Sequence, residues 1–337
     1  MLEPGSALPT SVRLVSELLG IEDIRAAGER IAGYVLRTPT VPSPALSAQL
    51  GVAVTLKLEL LQRTGSFKAR GAFHKLLTLT PAQRAAGVAA VSGGNHARAV
   101  ADAAGTLGVV ATVVMPRAAP AAAVAACRAA GATVRLTADM SSAFALQDEL
   151  VAEGATLVHP FDDPVLMAAQ GTVGLELGQD APQLTDVLVS IGGGGLISGV
   201  ATALRALLPA VRVWGVETVG ADAMSRALAA DAPVPIVPTS IVTSLSAPHV
   251  SALTRAHVDK LVEDILIVSD ADALRGARVL AEQAKLWAEP AAGCLVPAAA
   301  ALLSRKGPGA RLGLVVCGGN VTADDLAGWE RDLLRPR

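Results

Sequence analysis

The sequence predicts an α/β fold of two domains, in which parallel-rich twisted sheets are flanked by helices. Short β-branched apolar runs alternate with longer Ala/Leu-rich segments of helical periodicity, which is typical of parallel βαβ units. The chain has 337 residues, enough for two domains of ordinary size. Hydrophobic residues make up 52% of it and charged residues 17%, so buried cores can form and a disordered chain is excluded.

Seven short apolar runs are predicted to be strands because they are rich in branched aliphatic residues. They lie at 52–56, 88–91, 109–115, 133–136, 187–190, 211–216 and 312–316. Six segments with helical spacing lie between or after them, at 22–33, 66–77, 96–107, 119–130, 196–208 and 270–285. The four prolines within 232–254 predict a meandering loop there.

Charge and composition exclude several classes of function. Lys and Arg number 28 and Asp and Glu 30, a net charge of −2, which argues against nucleic acid and anionic membranes as partners. Three widely spaced cysteines predict neither a disulfide framework nor a zinc site, and they favour a reducing cytoplasm. The first residues carry no signal-peptide pattern, and a glycine run interrupts the uncharged stretch 187–204, so we predict no membrane span.

A run of four glycines follows a predicted strand and opens a predicted helix: Gly192, Gly193, Gly194 and Gly195. Consecutive glycine N–H groups at a helix N-terminus favour an anion, and a phosphate is the ligand we expect. No Gly-Lys-Ser/Thr follows, so the Walker pattern is absent. A dinucleotide, with Glu217 on a ribose, and a tight turn without a ligand remain alternatives.

Lys68 stands in the first turn of a predicted helix that Ser66 can cap. A cation at this position opposes the helix dipole. That field, together with burial, lowers the pKa of an amine, as a lysine that forms a Schiff base requires. A surface lysine near a turn is the alternative.

Two further loops carry polar residues next to predicted strands. The loop at 92–95, Ser-Gly-Gly-Asn, precedes a helix and can cradle a carboxylate, although a plain glycine turn is the alternative. His96 is expected to orient the start of that helix rather than to act as a base. Cys317 ends another strand, and the alternative for it is a small buried hydrophobic residue.

Together these motifs make the chain resemble the fold-type II pyridoxal-phosphate enzymes, in particular the threonine/serine dehydratase and serine racemase family. The resemblance covers about residues 21–325 of the chain. The matching stretches lie at 57–59, 62–72, 92–97, 159–163, 170–172, 192–195 and 317–320. It implies a tryptophan-synthase-β-like fold with pyridoxal 5′-phosphate in the cleft between two domains.

The resemblance also assigns roles to individual residues. Lys68 would form the Schiff base with the cofactor and later remove the Cα proton of the substrate. The other implied cofactor-binding residues are Phe67 beside the ring, Asn95 on the ring hydroxyl, Gly192, Gly193, Gly194, Gly195 and Leu196 on the phosphate, and Cys317 at the pyridine nitrogen. Ser92, Gly93, Gly94, Asn95 and His96 would bind the substrate carboxylate.

The implied reaction is that of a lyase: β-elimination of a β-hydroxy amino acid such as L-threonine or L-serine, giving a 2-oxo acid and ammonia. An amino-acid racemase is the second candidate, but Gly93 stands where racemases of the family carry a serine, so we favour the dehydratase. A synthase of the cysteine or threonine type, a nicotinamide-dependent oxidoreductase and a non-catalytic protein that retains the cofactor are further alternatives.

Two departures from the family pattern concern the metal and the substrate. Glu217 and Ala221 match the family's metal site, but Ala223 replaces its aspartate, so a complete metal site is not predicted. Residues 240–244 read Ser-Ile-Val-Thr-Ser where the family has Thr-Ile-Ala-Asp-Gly, which favours a substrate that is bulkier or differently charged than threonine. Glu289 matches a family glutamate and is expected to hold water in the site.

We place the small domain at residues 83–161 and the large cofactor-binding domain at 1–82 and 162–337. The family is commonly dimeric or tetrameric, so we expect a homodimer or homotetramer in the cytoplasm, with a small amino acid as substrate. The chain ends soon after the last motif, so the regulatory domain of biosynthetic threonine dehydratases and feedback control by isoleucine are not expected.

Overall fold

Two sheets organise the chain in the computed structural model, which describes residues 18–306 and 309–334. The strands in this part of the chain are β1 (Thr40–Pro42), β2 (Ala53–Leu58), β3 (Val88–Val91), β4 (Ala111–Pro116), β5 (Thr133–Thr137), β6 (Thr156–Leu157), β7 (Asp186–Ser190), β8 (Arg212–Thr218), β9 (Asp264–Val268) and β10 (Arg311–Val316).

Helices surround both sheets. They are α1 (Ile21–Ile31), α2 (Pro44–Leu50), α3 (Lys68–Leu77), α4 (Pro81–Ala86), α5 (Asn95–Leu107), α6 (Ala121–Ala129), α7 (Met140–Ala152), α8 (Pro164–Asp180), α9 (Gly195–Leu207), α10 (Ala223–Ala229), α11 (Ala252–Leu261), α12 (Asp270–Glu282), α13 (Pro290–Gly293), α14 (Leu295–Lys306) and α15 (Ala323–Leu333). No helix within the described ranges is long and apolar enough to cross a lipid bilayer.

The larger sheet has the strand order β1-β2-β10-β7-β8-β9, and the smaller has the order β5-β4-β3-β6. Every neighbouring pair is parallel except β1 with β2, which is antiparallel. The predicted α/β fold with parallel-rich sheets and flanking helices is therefore confirmed. The domain limits at 82/83 and 161/162 stay a prediction, which agrees with the smaller sheet taking its strands from within 88–157.

All seven predicted strands and all six predicted helices occur, and each predicted end lies within three residues of the observed one. Strand β7 illustrates why the strands were predictable. All five of its residues are buried, so it stands out in the sequence as a largely apolar run. Three strands escaped prediction: β1 and β6, which have three and two residues, and β9, which carries an aspartate at its start. The predicted loop within 232–254 is irregular up to Ser251, and α11 takes the last residues of the range.

Helix α8 was not predicted because it lacks an amphipathic pattern. Twelve of its 17 residues are buried, so polar and apolar faces cannot be distinguished in its sequence. Its glycines allow α9 to approach closely: a Cβ at Gly174 would lie 2.7 Å from the carbonyl oxygen of Val200, and one at Gly199 would lie 2.5 Å from the backbone nitrogen of Gly171. This helix pair braces the sheet behind the loops described next.

The carboxyl ends of the parallel strands of the larger sheet meet at one edge. Lys68 follows β2, Cys317 follows β10 and the glycine run follows β7. Glu217 is the second-last residue of β8. Ligands of open parallel sheets bind at this edge, so the fold gathers the sequence-predicted loops where a site is expected.

Candidate active site

Lys68 is the first residue of α3 and is reached from β2 through two 3-10 turns, Glu59–Leu61 and Arg63–Gly65. The expected cap by Ser66 is not made: Phe67 is the N-cap residue, and the buried Ser66 hydroxyl has no hydrogen-bond partner among the described residues. The backbone N–H of Phe67 donates instead to the carbonyl of Cys317 at 3.1 Å. The neighbouring strand end therefore fixes where the lysine helix begins.

The Lys68 side chain is half-buried between the carboxyl edge of the larger sheet and Pro160, and this region is termed the cleft. Its Nζ donates to the carbonyl oxygen of Pro160 at 2.7 Å and lies 5.1 Å from the centre of the Phe67 ring. Burial lowers the pKa of Lys68 to about 8, although the nearby Cys317 and Glu289 act in the opposite direction. About a tenth of this amine is therefore unprotonated at pH 7, far more than for a lysine of ordinary pKa, and a nucleophile or base requires that form.

The glycine run forms a tight loop between β7 and α9, with Gly194 at a φ of 91°. Within the described ranges, no protein group accepts a hydrogen bond from the N–H groups of residues 192–196. Side chains are excluded by packing: a Cβ at Gly193 would lie 2.1 Å from the Phe161 ring, and one at Gly194 would lie 2.7 Å from Met224 Cε. Five consecutive free donors at a helix N-terminus fit a phosphate group.

The 92–96 loop lies at the end of β3. The Ser92 hydroxyl accepts from the N–H of Gly94 at 3.1 Å, and α5 begins at Asn95. Burial lowers the pKa of His96 to about 3, and its Nε2 contacts the carbonyl of Val158 at 2.7 Å. His96 is thus neutral and acts in packing rather than as a base. A Cβ at Gly93 would meet nothing closer than Ala119 Cβ at 3.5 Å, so a side chain has room there.

Two buried groups complete the cleft beside Lys68. Glu289 is 6% exposed, and both its carboxylate oxygens lie 3.0 Å from Asn95 Nδ2. Burial raises its pKa, although hydrogen bonds from Asn95 and Ser244 oppose that effect. Burial likewise raises the pKa of the Cys317 thiol well above its usual range, so the thiol is neutral. The end of β10 therefore presents an uncharged polar group.

The Glu217 carboxylate is hydrogen-bonded to protein donors at the start of α10. It accepts from the N–H groups of Met224 and Ser225 at 2.8 and 2.9 Å, and from the Ser225 hydroxyl at 2.6 Å. Burial raises the pKa of Glu217 to about 7, against those hydrogen bonds. Asp222 is paired with Arg226 at 3.0 Å, and the described residues hold no group of three metal-ligating side chains. Asp222 Oδ1 is buried with no hydrogen-bond partner among the described residues, and Ala223 stands where the family has its aspartate. The incomplete metal site therefore stays a prediction.

The departing segment 240–244 is anchored at its first residues on the start of α12. The Ser240 hydroxyl contacts Asp270 Oδ1 at 2.5 Å, and the N–H of Ile241 donates to Asp270 Oδ2 at 2.9 Å. Its far end meets the glycine loop, because a Cβ at Gly192 would lie 3.2 Å from the Ser244 carbonyl oxygen. The end of the segment is therefore packed against the glycine loop.

Two polar features beside the site carried no role in the sequence-based reasoning. Asn320 donates to Asn95, and a buried cluster of four charges lies beneath α3: Lys57, Glu59, Arg70 and Glu176. Charged residues at the end of an otherwise apolar strand were the available signal for the cluster. The Asn320 contact joins residues 225 positions apart, and no local pattern reveals it.

Comparisons with known proteins agree with this geometry. The family described as pyridoxal-phosphate dependent enzymes matches residues 31–318. The chain is 40% identical over 316 residues to an L-threo-3-hydroxyaspartate ammonia-lyase from Pseudomonas sp., covering 92% of this chain and 98% of that protein. It is 43% identical over 318 residues to a phenylserine dehydratase from Ralstonia pickettii, covering 92% and 95%. The structure of maize serine racemase superposes with a TM-score of 0.87 at 34% identity, covering 94% and 98%.

The family match spans most of the chain, and relatives well above 30% identity cover more than nine-tenths of it. The loops that carry the family's motifs meet at one edge of the larger sheet. There, Lys68 with its lowered pKa lies near the free N–H groups of the glycine loop. This chain belongs to the pyridoxal-phosphate dependent enzymes of fold type II.

Proposed function

We propose that this protein is a lyase with Lys68 as its catalytic residue. It eliminates water from a β-hydroxy amino acid, and hydrolysis of the unsaturated product then gives a 2-oxo acid and ammonia. The observation that carries the proposal is the partly buried Lys68 amine, whose pKa is lowered to about 8. It lies in the same cleft as the glycine loop, whose N–H groups have no acceptor among the described residues. The relatives named as hydroxyaspartate ammonia-lyase and phenylserine dehydratase act on substrates of this class by their names.

Pyridoxal phosphate, when bound, supplies an electron sink for the charge left at Cα when its proton departs. The residues that would hold it are the five N–H groups of 192–196 for the phosphate, Asn95 for the ring hydroxyl, and Cys317 for the pyridine nitrogen. The neutral Cys317 thiol supports a ring nitrogen that is not protonated. Such a ring is a weaker electron sink, which suits elimination.

Lys68 would move the Cα proton. An amine whose pKa lies near the working pH is efficient as a base and, once protonated, as an acid. The carbonyl of Pro160, 2.7 Å from Nζ, would hold the amine in the cleft while the substrate binds. Positioning this amine against the Cα–H bond is the main contribution that the protein makes to the rate.

Ser92, Gly93, Gly94, Asn95 and His96 would bind the substrate carboxylate through the start of α5. Helix N-termini favour a carboxylate, and the Ser92 hydroxyl already stabilises the loop. A racemase is the second candidate, supported by the similarity to maize serine racemase. Gly93 argues against it, because no side chain is present there to return a proton to the opposite face of Cα.

The test is the visible absorbance of the purified protein with pyridoxal phosphate, comparing wild type with Lys68→Ala. Lys75→Ala, on the same helix, is the matched control. We expect a cofactor band that depends on Lys68 and not on Lys75, and release of 2-oxo acid from one of L-threonine, L-serine, 3-hydroxyaspartate or phenylserine. A band that survives in Lys68→Ala, or enantiomer formation without 2-oxo acid, would overturn the proposal.

We also infer that the enzyme is a homodimer or homotetramer in the cytoplasm, with a small domain at residues 83–161. These inferences follow from the family resemblance. Size-exclusion chromatography with light scattering measures the oligomeric state. Limited proteolysis near residues 83 and 161 tests the domain limits, because linkers between domains are cut first.

A further inference from the structure

The chain contains only two asparagines, Asn95 and Asn320, and the structure brings them into direct contact. Asn320 Nδ2 donates to Asn95 Oδ1 at 2.7 Å and also to the backbone carbonyl oxygen of Thr64 at 2.7 Å. Asn95 Nδ2 in turn lies 3.0 Å from both carboxylate oxygens of Glu289. A relay of amides therefore runs from the Thr64 carbonyl to the Glu289 carboxylate.

The direction of this relay is set at the Thr64 end. The two ends of a side-chain amide have nearly the same shape, so only hydrogen-bond partners decide which end is which. A backbone carbonyl accepts and never donates, so it requires the NH₂ of Asn320. The same NH₂ then requires the oxygen of Asn95, and the NH₂ of Asn95 is left to face Glu289. Protonation of Glu289 does not change this order.

The backbone at Thr64 is unusual. Thr64 has a φ of 62°, which is rare for a β-branched residue, and Gly65 follows at 75°. A Cβ at Gly65 would lie 2.7 Å from Asn320 Oδ1, so the close approach of Asn320 requires glycine there. Backbone strain persists where the surrounding structure requires it and is concentrated at functional sites. Here the strained turn lies directly against Asn320 and presents the Thr64 carbonyl to it.

We propose that Asn320 is a positioning residue that holds the Asn95 amide with its NH₂ toward Glu289 and the ring hydroxyl oxygen of pyridoxal phosphate. The inference rests on the proposed function of this site. The orientation of the Asn95 amide decides whether a donor or an acceptor faces the ring oxygen. An NH₂ stabilises a negatively charged ring oxygen, whereas the amide oxygen in the same place would repel it.

The decisive variant is Asn320→Asp, which is close to isosteric but accepts where asparagine donates. It loses both donated bonds, and it can bond to Asn95 only by accepting from the Asn95 NH₂, which turns that amide round. We expect at least tenfold weaker cofactor binding, a shifted absorbance titration of the bound cofactor, and a kcat about 10- to 100-fold lower with KM changed less.

Asn320→Ala is the matched control. It removes the hydrogen bond from Asn320 to Asn95 without turning the Asn95 amide round. If Asn320 acts by orienting that amide, Asn320→Ala should therefore change the spectrum and kcat less than Asn320→Asp does. A purely structural role predicts the opposite order, because alanine leaves a gap and aspartate fills it. Should Asn320→Asp fail to fold, Asn95→Asp serves in its place. It still accepts from Asn320 but offers no NH₂, and we expect the same spectral change.

Because only two asparagines are present, selective ¹⁵N-asparagine labelling of the holoenzyme gives two side-chain NH₂ groups by NMR. In the wild type, we expect Glu289→Gln to move the Asn95 NH₂ resonances. In Asn320→Asp, we expect those resonances to be insensitive to Glu289→Gln, because the NH₂ has turned away from residue 289. Equal sensitivity in both backgrounds would overturn the inference.

A double-variant cycle separates positioning from independent roles. If Asn320 acts through Asn95, adding Asn320→Asp to Asn95→Ala changes cofactor affinity and kcat less than twofold. Effects that multiply would overturn the inference. Its failure is distinct from failure of the proposed function: a Lys68-dependent band with a wild-type spectrum in Asn320→Asp refutes only the positioning role, whereas a band independent of Lys68 refutes the function itself.

Discussion

Helix α3 carries two cations two residues apart, and their surroundings are opposite. Arg70 is fully buried, and its guanidinium donates to Glu59 Oε1 at 2.7 Å and to Glu176 Oε1 at 2.6 Å. Lys68 lies in the cleft wall and donates only to a backbone carbonyl, with no ion-pair partner among the described residues. The fold pairs Arg70 with carboxylates, whereas the Lys68 amine has no ion-pair partner among the described residues and can react.

The pKa values of the two groups follow from this difference. Burial disfavours the charged form of both. The carboxylates of Glu59 and Glu176 outweigh burial at Arg70 and raise its pKa, whereas burial dominates at Lys68 and lowers its pKa to about 8. A fully partnered charge is thus part of the framework, while an unpartnered amine with a lowered pKa is available for chemistry.

The cluster around Arg70 is balanced as a whole. Lys57 Nζ contacts Glu176 Oε2 at 2.5 Å and donates to the carbonyl of Thr38 at 2.8 Å, so two cations meet two carboxylates. Thr172 accepts a further bond from Arg70 at 3.0 Å. The cluster ties β2, α3 and α8 together directly behind the turn that carries Lys68. This placement holds the lysine-bearing helix against the sheet.

The largest effect on stability is expected from Arg70→Met. Removing one partner of a buried charge cluster leaves Glu59 and Glu176 without their cation, which costs about 3–5 kcal/mol. Urea unfolding measures the loss. Arg25→Met, at a largely exposed pair with Glu22, is the control and should change little. Similar losses for the two variants would contradict the distinction between partnered core charge and surface charge.

The opposite sign is expected for Lys68→Met in the protein without cofactor. Because the Lys68 pKa falls from 10.5 unfolded to about 8 folded, the folded state carries a penalty that is full below pH 8 and disappears as pH rises to 10.5. The variant should therefore be more stable than wild type at pH 7, by about 3 kcal/mol for a pKa lowered by about 2.5 at about 1.4 kcal/mol per pKa unit. Urea unfolding at pH 7 and pH 10 measures this gain. A gain that is independent of pH would show that packing, not charge, is responsible.

Gly193→Ala tests the anion cradle. The added Cβ would lie 2.1 Å from the Phe161 ring, so we expect a loss of about 1–3 kcal/mol and weaker binding of pyridoxal phosphate by fluorescence titration. Gly28→Ala in α1 is the control: its Cβ would meet Thr172 at 3.6 Å, and a helix interior gains about 0.5–1 kcal/mol from alanine. Unchanged cofactor affinity in Gly193→Ala would argue against the cradle.

The smallest effect on elimination is expected from Gly93→Ser, because a side chain has room at this position. The new hydroxyl would lie within the loop proposed for the substrate carboxylate, where it could exchange a proton with the substrate. We expect elimination within a few-fold of wild type and a measurable rate of enantiomer formation, read by chiral chromatography and deuterium uptake from D₂O. Wild-type protein that already racemises as fast as it eliminates would refute the preference for the dehydratase.

The elements that were predictable are those whose local sequence carries the signal. A strand buried on both faces, such as β7, is a continuous apolar run, and the glycine run and the helix-start lysine are contiguous motifs. Prediction failed where burial removes the pattern, as in α8, or where a strand is as short as β6. It also failed at Ser66, because the expected cap depends on a backbone conformation that the Cys317 carbonyl determines.

The sequence by itself determined the fold class, the lysine and the glycine loop, since strand periodicity and turn chemistry act over a few residues. Only the tertiary structure decided which polar groups find partners. Strand β10 lies next to β2, and this order brings Asn320 to Thr64 and Asn95 across 256 and 225 residues. The same packing joins Arg70 to Glu176, 106 residues away, and leaves Lys68 with no ion-pair partner within the described ranges. Hydrogen bonds and desolvation act through space, so separation along the chain does not reveal them.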